Sequence, residues 1–283
     1  MRRIRQTIED FIAQKVQEEN YSGALIGLSG GVDSATTAYL AVNALGRSNV
    51  RGLTLLFPWQ RQEDVSDAVE IGKALGIEHT KLDISRIIET HVDNAPEASK
   101  LQCFSSNDSS LNLFERLNSA ISLTWAEAFN YIIPSSSNKT EFLTSFYCVG
   151  GNIGHIYPLG DLYKTEVREL ARTLCVPEKI IIKKSTDGFE KRKSDEEIIG
   201  ASYEQLDRIC YGLEAGEDPE SIGKEANVDV KKVYEIQKRM RDSARKLSFP
   251  ACAVYMPERK SMFERKTELE PLPRRLFAPF YGG

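Results

Sequence analysis

The sequence SGGVDS, at residues 29–34, combines two glycines with one carboxylate and two hydroxyls. It follows an apolar run at 24–28 and precedes a segment, 35–45, whose apolar residues recur at helical spacing. This order predicts a buried strand, a tight turn and the start of a helix. Because the first N–H groups of a helix are unpaired and lie at the positive end of its dipole, the turn is suited to bind an anion.

Each residue type in this turn has a use at a phosphate. Gly30 and Gly31 permit unusual dihedral angles and a close approach of the backbone. Ser29 and Ser34 can donate hydroxyl hydrogen bonds, and Asp33 can bind Mg²⁺. The turn lacks the lysine that ends the P-loop pattern GxxxxGK[ST]. It matches instead the SGGxDS pyrophosphate loop of enzymes that cleave ATP between the α- and β-phosphates.

Composition and charge restrict the class of protein. The chain has 283 residues, of which 41% are hydrophobic and 28% are charged, as in a globular domain with a sizeable core. A net charge of −4 argues against a nucleic-acid partner, since phosphate binding needs a basic surface. The sequence suggests no membrane span and no signal peptide. Its five cysteines include no C-x-x-C pair, which favours reduced thiols and a cytoplasmic location.

Alternating strands and helices are expected to position the turn. Such alternation implies parallel strands joined by right-handed crossovers, with the ligand at the carboxyl ends of the strands. The expected strands are 24–28, 50–57, 79–84 and 131–133, and the expected helices are 4–19, 35–45, 65–74, 113–129, 164–174, 197–213 and two within 219–247 that break at 227–229.

Two polar or irregular regions interrupt this pattern. Residues 93–111 read as a loop, either a lid over the active site or a passive surface loop. After Pro250 the chain has several prolines and little periodicity. We therefore expect one domain at 1–250 and a C-terminal tail at 251–283.

Several later segments make the chain similar to ammonia-dependent NAD synthetases, from about residue 4 to residue 250. The match is carried by the order of these segments behind SGGVDS, since each alone is short. They are NLFER at 112–116, SSSNKTE at 135–141, IYPLGDLYKTEV at 156–167, and 183–196 ending in SDE, followed by Gly200 and Tyr203. The resemblance implies an α/β protein with the Rossmann-like adenine-nucleotide α-hydrolase fold: a parallel sheet, helices on both faces and a helical C-terminal part.

The activity that the resemblance implies is ATP-dependent amidation of nicotinic acid adenine dinucleotide to NAD by ammonia. The reaction passes through an acyl-adenylate and releases pyrophosphate and AMP. It also implies Mg²⁺, with Asp33 and Glu141 as ligands, and roles for Asp33, Lys164 and Lys183 in catalysis. The ATP-binding residues it implies are Gly27, Leu28, Ser29, Gly30, Gly31, Val32, Asp33, Ser34, Ser136, Lys164 and Thr186.

The segments that bind the dinucleotide in the family are altered in this chain. The pattern T-K-Y-G-D-G-G-x-D is here YCVGGNIGH at 147–155. Aligned from Pro158, the family's lysine falls on Cys148 and its last aspartate on His155, whereas a shift of one residue places Asn152 at the first aspartate. Near the C-terminus, Arg245 replaces a histidine and Lys246 is retained. The substrate-binding residues expected by resemblance are Arg116, Cys148, His155, Arg245 and Lys246.

These departures leave two further functions open. The chain could amidate a different carboxylate, or it could be a nucleotide-binding relative that has lost turnover, although Asp33 and Glu141 are retained. Transfer-RNA modification enzymes share SGGxDS but need basic or zinc-binding RNA modules, which the sequence lacks. Nothing resembles a glutaminase, so the nitrogen is expected as free ammonia or from a separate protein. The family is homodimeric, and the helix at 112–129 is the segment expected at the subunit interface.

Overall fold

The computed structural model of the chain describes residues 1–58, 60–94, 108–186, 188 and 193–247. Its strands are β1 (Gly23–Gly27), β2 (Val50–Leu56), β3 (Glu78–Asp83) and β4 (Tyr131–Ile132). They form one parallel sheet in the order β3-β2-β1-β4. The expected parallel α/β architecture is confirmed.

Twelve α-helices and one 3₁₀ turn, Arg47–Asn49, complete the described part of the chain. The helices are α1 (Arg2–Glu18), α2 (Val32–Leu45), α3 (Gln62–Leu75), α4 (Ser85–Asn94), α5 (Asp108–Phe129), α6 (Lys139–Thr144), α7 (Lys164–Thr173), α8 (Glu178–Ile181), α9 (Asp195–Ile199), α10 (Tyr203–Glu214), α11 (Pro219–Ala226) and α12 (Val230–Leu247). Among these, none is both long and apolar enough to cross a bilayer.

Strand β1 is apolar because both of its faces are covered. Successive side chains of a strand point to opposite faces of the sheet. Ala24 and Ile26 join a core with residues of α1, α2 and α7, whereas Leu25 joins a second core with Ile88 of α4 and Ala126 of α5. The helices therefore lie on both faces, as the sequence predicts.

A third core holds the helices of the C-terminal part together. It contains Ile199 of α9, Leu206 and Ile209 of α10, Ile222 of α11 and Val233 of α12. This helical part was expected, but its first helix was expected to be continuous over 197–213. That prediction is wrong, because Gly200, at φ 74°, ends α9, and the Ser202 side chain caps α10.

The expected loop at 93–111 is helical at both ends. Asn94 belongs to α4, and α5 begins at Asp108, five residues earlier than the expected start. Residues 95–107 lie outside the described part of the chain. Near the C-terminus, the expected break between α11 and α12 is confirmed, with Asn227 in the left-handed conformation at φ 52°.

Residues 1–247 form one compact unit. The expected boundary after residue 250 and the expected tail at 251–283 lie outside the described residues, and the division remains a prediction. Helix α12 supplies the last described element, ending at Leu247.

Candidate functional site

A cavity of about 240 Å³ opens at the carboxyl ends of β1 and β2. Parallel sheets of this kind bind ligands at this edge. The turn after β1 and the last residues of β2 form one wall, and polar residues from α6, α7 and the segment after α8 face them. The lining includes Gly27, Leu28, Ser29, Gly31, Val32, Asp33, Ser34, Thr54, Gln60, Asp64, Asn118, Ser136, Glu141, Asn152, Lys164, Lys183, Thr186 and Asp195.

The turn between β1 and α2 is held in shape by its own hydroxyls. The Ser34 hydroxyl donates to the carbonyl of Gly31 and accepts from the amide of Ser29. Gly30 adopts φ 79°, and a Cβ there would lie 2.2 Å from the backbone oxygen of Asp64. Only glycine fits this position without displacing α3. Because the first residues of α2 line the cavity, the positive end of the helix dipole lies at the cavity wall, where an anion would be stabilised.

Asp33, Lys164 and Glu141 meet in this cavity although three separate elements carry them. The Lys164 ammonium is in direct contact with Oδ2 of Asp33 and lies 3.9 Å from Oε1 of Glu141. The Lys164 side chain is only 2% exposed, so solvent screens these charges weakly. The sequence pattern anticipated all three residues, and the fold brings them together.

Burial sets the electrostatics of this cluster. Burial raises the pKa of Glu141, the negative charge of Asp33 raises it further, and the net value is about 8. For Lys164 burial lowers the pKa, but the charges of Asp33 and Glu141 outweigh it and leave the pKa raised. The negative charge of Asp33 therefore repels that of an ionised Glu141, and the Lys164 ammonium approaches both carboxyl groups.

This repulsion and the hard oxygen donors suit a divalent cation. Mg²⁺ is typically bound by one or two carboxylates together with substrate phosphates, not by a full cage of protein ligands. In the described residues no three His, Cys, Asp or Glu side chains cluster as a metal cage. Asp33 and Glu141 thus fit an ion that substrate phosphates would complete.

Asn138 connects Asp33 to Glu141 on the side opposite Lys164. Its side-chain amide donates to Oδ1 of Asp33 at 2.9 Å, and its side-chain oxygen accepts from the backbone N–H of Glu141 at 3.0 Å. The backbone N–H of Asn138 donates to Oε2 of Glu141 at 3.3 Å. Asn138 is fully buried. Sequence reasoning quoted this asparagine as part of SSSNKTE but assigned it no role.

Asp207 of α10 accepts hydrogen bonds from the first turns of both α6 and α7. Its carboxylate accepts from the Thr140 hydroxyl at 2.6 Å and from the Thr165 backbone N–H at 2.8 Å. The Thr140 oxygen in turn accepts from the backbone N–H of Lys164 at 2.9 Å. Burial raises the pKa of Asp207 above its usual value. No local pattern in the sequence singles out this residue.

Asp195 is a further carboxylate in the cavity wall. Its Oδ2 accepts a hydrogen bond from the Tyr203 hydroxyl at 2.8 Å, and burial raises the pKa of its carboxyl. Asp195 and Tyr203 both belong to the family segment that ends in SDE and is followed by Gly200 and Tyr203. The resemblance therefore pointed to them, although it assigned them no role.

Lys183 and Thr186 approach the cavity from the segment after α8. The Lys183 ammonium contacts Asp64 at 2.5 Å and Asp67 at 2.6 Å, and donates to the Gly30 carbonyl at 3.3 Å. Lys183 is thereby fixed beside the turn at 29–34. Thr186 lines the cavity, as does Ser136 on the opposite side.

The residues expected to bind the dinucleotide remain predictions, and the structure places them as follows. Arg116, Cys148 and His155 are absent from the described lining of the cavity. Arg116 donates to the Val149 carbonyl at 3.1 Å, and Nδ1 of His155 accepts from the backbone N–H of Ile133 at 2.9 Å. Asn152 does line the cavity. The side chains of Arg245 and Lys246, in α12, lie outside the description.

Comparison with known sequences matches one family over most of the chain. The family model described as NAD synthase matches residues 4–250. The chain is 37% identical to the NH₃-dependent NAD⁺ synthetase of Thermococcus kodakarensis over 248 residues, which are 87% of this chain and 94% of that protein. It is 32% identical to the NH₃-dependent NAD⁺ synthetase of Methanococcoides burtonii, covering 87% of this chain and 92% of the relative.

Two solved structures share the fold over almost the whole of their length. The NMN synthetase of Francisella tularensis has a TM-score of 0.76 and 25% identity, and the match covers 90% of this chain and 98% of that one. The NH₃-dependent NAD synthetase of Campylobacter jejuni, solved with a nitrate ion, has a TM-score of 0.72 and 24% identity over 89% and 99% of the two chains. The second likeness concerns the fold alone.

Proposed function

The chain belongs to the NAD synthase family, and we propose that it is a carbon–nitrogen ligase that converts nicotinic acid adenine dinucleotide, ATP and ammonia into NAD, AMP and pyrophosphate. The observation that carries the proposal is the cluster of Asp33, Lys164 and Glu141, buried at the end of β1 beside the SGGVDS turn. Phosphoryl transfer needs cations and fixed donors around the phosphates, and this cluster and turn can supply both.

In the first step, an oxygen of the substrate carboxylate attacks the α-phosphorus of ATP. The bond from that phosphorus to the bridging oxygen breaks, and pyrophosphate leaves with the electron pair. The N-terminus of α2 would bind the phosphates. Lys164 and Lys183 would neutralise the negative charge that develops on their oxygens. Ser136 and Thr186 would fix the nucleotide in the cavity wall.

Asp33 and Glu141 would hold Mg²⁺ in this scheme. The ion would neutralise phosphate charge and orient the leaving group. The mutual repulsion of the two carboxylates, which contributes to the raised pKa of Glu141, would be relieved when a cation lies between them.

In the second step, ammonia attacks the carbonyl carbon of the acyl-adenylate. The bond from this carbon to the phosphate oxygen breaks, AMP leaves, and the nitrogen loses a proton to give the amide. The segment 147–155 departs from the family pattern, and Asn152 is its described residue that lines the cavity. Asn152 is therefore our candidate for contact with this end of the substrate.

A second candidate substrate is nicotinic acid mononucleotide. Two observations favour it: the family's dinucleotide-contacting lysine aligns with Cys148, and the NMN synthetase of Francisella tularensis shares the fold with a TM-score of 0.76. The same adenylation and amidation chemistry would serve either nucleotide, because both present the nicotinate carboxylate.

Product analysis separates the candidates. The purified protein is given ATP, Mg²⁺ and ammonium with either the dinucleotide or the mononucleotide, and pyrophosphate, AMP and amide product are quantified. We expect the dinucleotide to give NAD with equal amounts of AMP and pyrophosphate. A higher kcat/KM with the mononucleotide would move the assignment to NMN synthesis. Formation of ADP, or turnover with neither nucleotide, would overturn the proposal.

Two further properties belong to the same proposal. We expect a homodimer with α5 at the interface and a cytoplasmic location, and we expect neither a nucleic acid nor a membrane among the partners. Sedimentation of the purified chain tests the first expectation: a monomer at micromolar concentration would contradict it.

A further inference from the structure

Asp33 and Glu141 are joined by two bridges, one cationic and one neutral. Lys164 contacts Oδ2 of Asp33 and approaches Oε1 of Glu141. Asn138 takes the remaining oxygen of each carboxylate, Oδ1 of Asp33 and Oε2 of Glu141. The four residues therefore form a closed ring in which each carboxylate is held through both of its oxygens.

A helix cap alone does not require the Asn138 side chain to be an amide. The capping position needs only an acceptor for the N–H of Glu141, which serine, threonine or aspartate would also provide. The contact to Asp33 needs in addition an N–H donor that extends away from the helix. Asparagine supplies an acceptor and a donor from the same short side chain.

Because Asn138 is completely buried, its hydrogen bond to Asp33 affects the orientation of the Asp33 carboxylate. Asn138 is 0% exposed, so water cannot replace its hydrogen bond to Asp33. Asp33 lies in the first turn of α2, whereas Glu141 lies in the first turn of α6, 108 positions later along the chain. The Asn138 side chain thus links the Asp33 carboxylate to the backbone of Glu141, and the Asn138 backbone N–H holds the Glu141 carboxylate. One residue therefore connects two carboxylates that belong to different elements.

We infer that Asn138 is a positioning residue, which sets the relative orientation of Asp33 and Glu141 so that both can bind one divalent cation. The inference rests on the proposed function for the role of that cation. Partners that orient metal ligands commonly affect metal affinity by about 10- to 100-fold when removed. Asn138 itself touches neither the nucleotide nor the reacting carboxylate in this role.

The test replaces Asn138 by serine, which keeps an acceptor for the Glu141 N–H but removes the amide N–H that donates to Asp33 and leaves a shorter hydroxyl in its place. Asn138→Thr is the second variant, because it fills more of the buried space. Asp218→Ala is the matched control: Asp218 caps α11 by accepting from the Ser221 N–H at 3.1 Å, and α11 lines no part of the cavity. All three variants perturb a helix cap, but only the Asn138 variants release Asp33.

Two quantities are measured. One is the Mg²⁺ concentration that gives half-maximal pyrophosphate release at saturating ATP. The other is the rise in Tm that Mg²⁺ causes in the presence of a non-hydrolysable ATP analogue, which needs no turnover. For Asn138→Ser we expect a tenfold or greater increase in the half-saturating Mg²⁺ concentration, about the size seen for such partners. We also expect a smaller Mg²⁺-dependent rise in Tm, with recovery at higher Mg²⁺.

Asp218→Ala should lower the Tm without changing either Mg²⁺ dependence. If both Asn138 variants lose Tm but keep the wild-type Mg²⁺ dependence, Asn138 is a helix cap only and the inference is wrong. It is also wrong if Mg²⁺ causes no shift in the wild-type protein. Failure of the proposed function is distinguishable, since the wild type would then release no pyrophosphate while the analogue titration still decides the role of Asn138.

Discussion

Lys164 is a buried ammonium in direct contact with the carboxylate of Asp33, a residue 131 positions away in the sequence. The contact joins the start of α7 to the first turn of α2. Glu141 approaches the same ammonium from α6. The charge of Lys164 thus favours the close approach of two partly buried acidic side chains.

Replacement of Lys164 by methionine should therefore be costly. Removing one partner of a buried ion pair leaves the other charge uncompensated, at a cost of about 3–5 kcal/mol. We expect the free energy of unfolding, measured by urea denaturation, to fall by an amount in this range. Pyrophosphate release should fall by about a hundredfold or more, because a cation at the phosphates is lost.

Lys179→Met is the matched control for that substitution. Lys179 also contacts two carboxylates, Asp67 at 3.0 Å and Glu70 at 2.6 Å, but its side chain is 53% exposed. Exposed ion pairs contribute about 0–1 kcal/mol. Equal losses of stability in the two variants would contradict a special role for burial at Lys164.

Asp33→Asn should separate catalysis from stability. The substitution weakens one partner of Lys164 but also relieves the repulsion of Glu141, so the two effects on folding offset each other. We expect a change in the free energy of unfolding of at most about 2 kcal/mol and a loss of adenylation of a hundredfold or more. The variant is assayed by pyrophosphate release and urea denaturation. Wild-type activity at ordinary Mg²⁺ would contradict the assignment of Asp33 as a metal ligand.

Asp67 gives a prediction about pH. Burial raises its pKa, but hydrogen bonds from Lys183 and Lys179 outweigh burial and leave the pKa below its usual 3.8. A lowered pKa means stability that is present above pH 3.8 and is lost as pH falls through the folded-state value. Asp67→Asn should thus cost about 1–3 kcal/mol at pH 7.

The difference in unfolding free energy between wild type and Asp67→Asn should shrink when both are measured at pH 3. At that pH the carboxyl of the unfolded chain is already largely protonated, so less of the stability that comes from the lowered folded-state pKa remains. A difference that stays constant from pH 7 to pH 3 would show that the substitution acts through packing and not through charge.

The elements around the SGGVDS turn could be predicted because their signals are local. An apolar run buried on both faces, a glycine turn and a helical repeat follow one another within 24–45. The break between α9 and α10 was missed because apolar Ile199, Tyr203 and Leu206 continue one helical repeat across Gly200. Ser202 and Gln205 form a capping box that could have revealed the second start.

The supporting residues of the site could not be predicted in the same way. Asn138 and Asp207 act through partners that are distant in sequence, and no local spacing encodes such contacts. The altered strip at 147–155 left two alignments that differ by one residue. Asn152 lines the cavity and His155 accepts from the backbone N–H of Ile133, but the choice between the two alignments stays a prediction.

Asp207→Asn tests whether α10 supports the catalytic helices. Both carboxylate oxygens of Asp207 accept hydrogen bonds, one from Thr140 and one from the Thr165 backbone N–H. Asparagine keeps one acceptor but turns an NH₂ group toward the other donor, which then lacks a buried partner. The cost should be about 1–3 kcal/mol in the free energy of unfolding.

Activity should fall together with stability in this variant, because α6 carries Glu141, α7 carries Lys164, and Asp207 accepts hydrogen bonds from the first turns of both helices. Glu204→Gln on the same helix is the control, since Glu204 contacts Arg168 at 3.3 Å with a side chain that is 66% exposed. Its loss should be about 0–1 kcal/mol, with unchanged kcat. Measured at a temperature where both variants are fully folded, a kcat for Asp207→Asn equal to that of Glu204→Gln would show that α10 supports folding alone. A lower kcat would show that the same carboxylate also aligns Glu141 with Lys164.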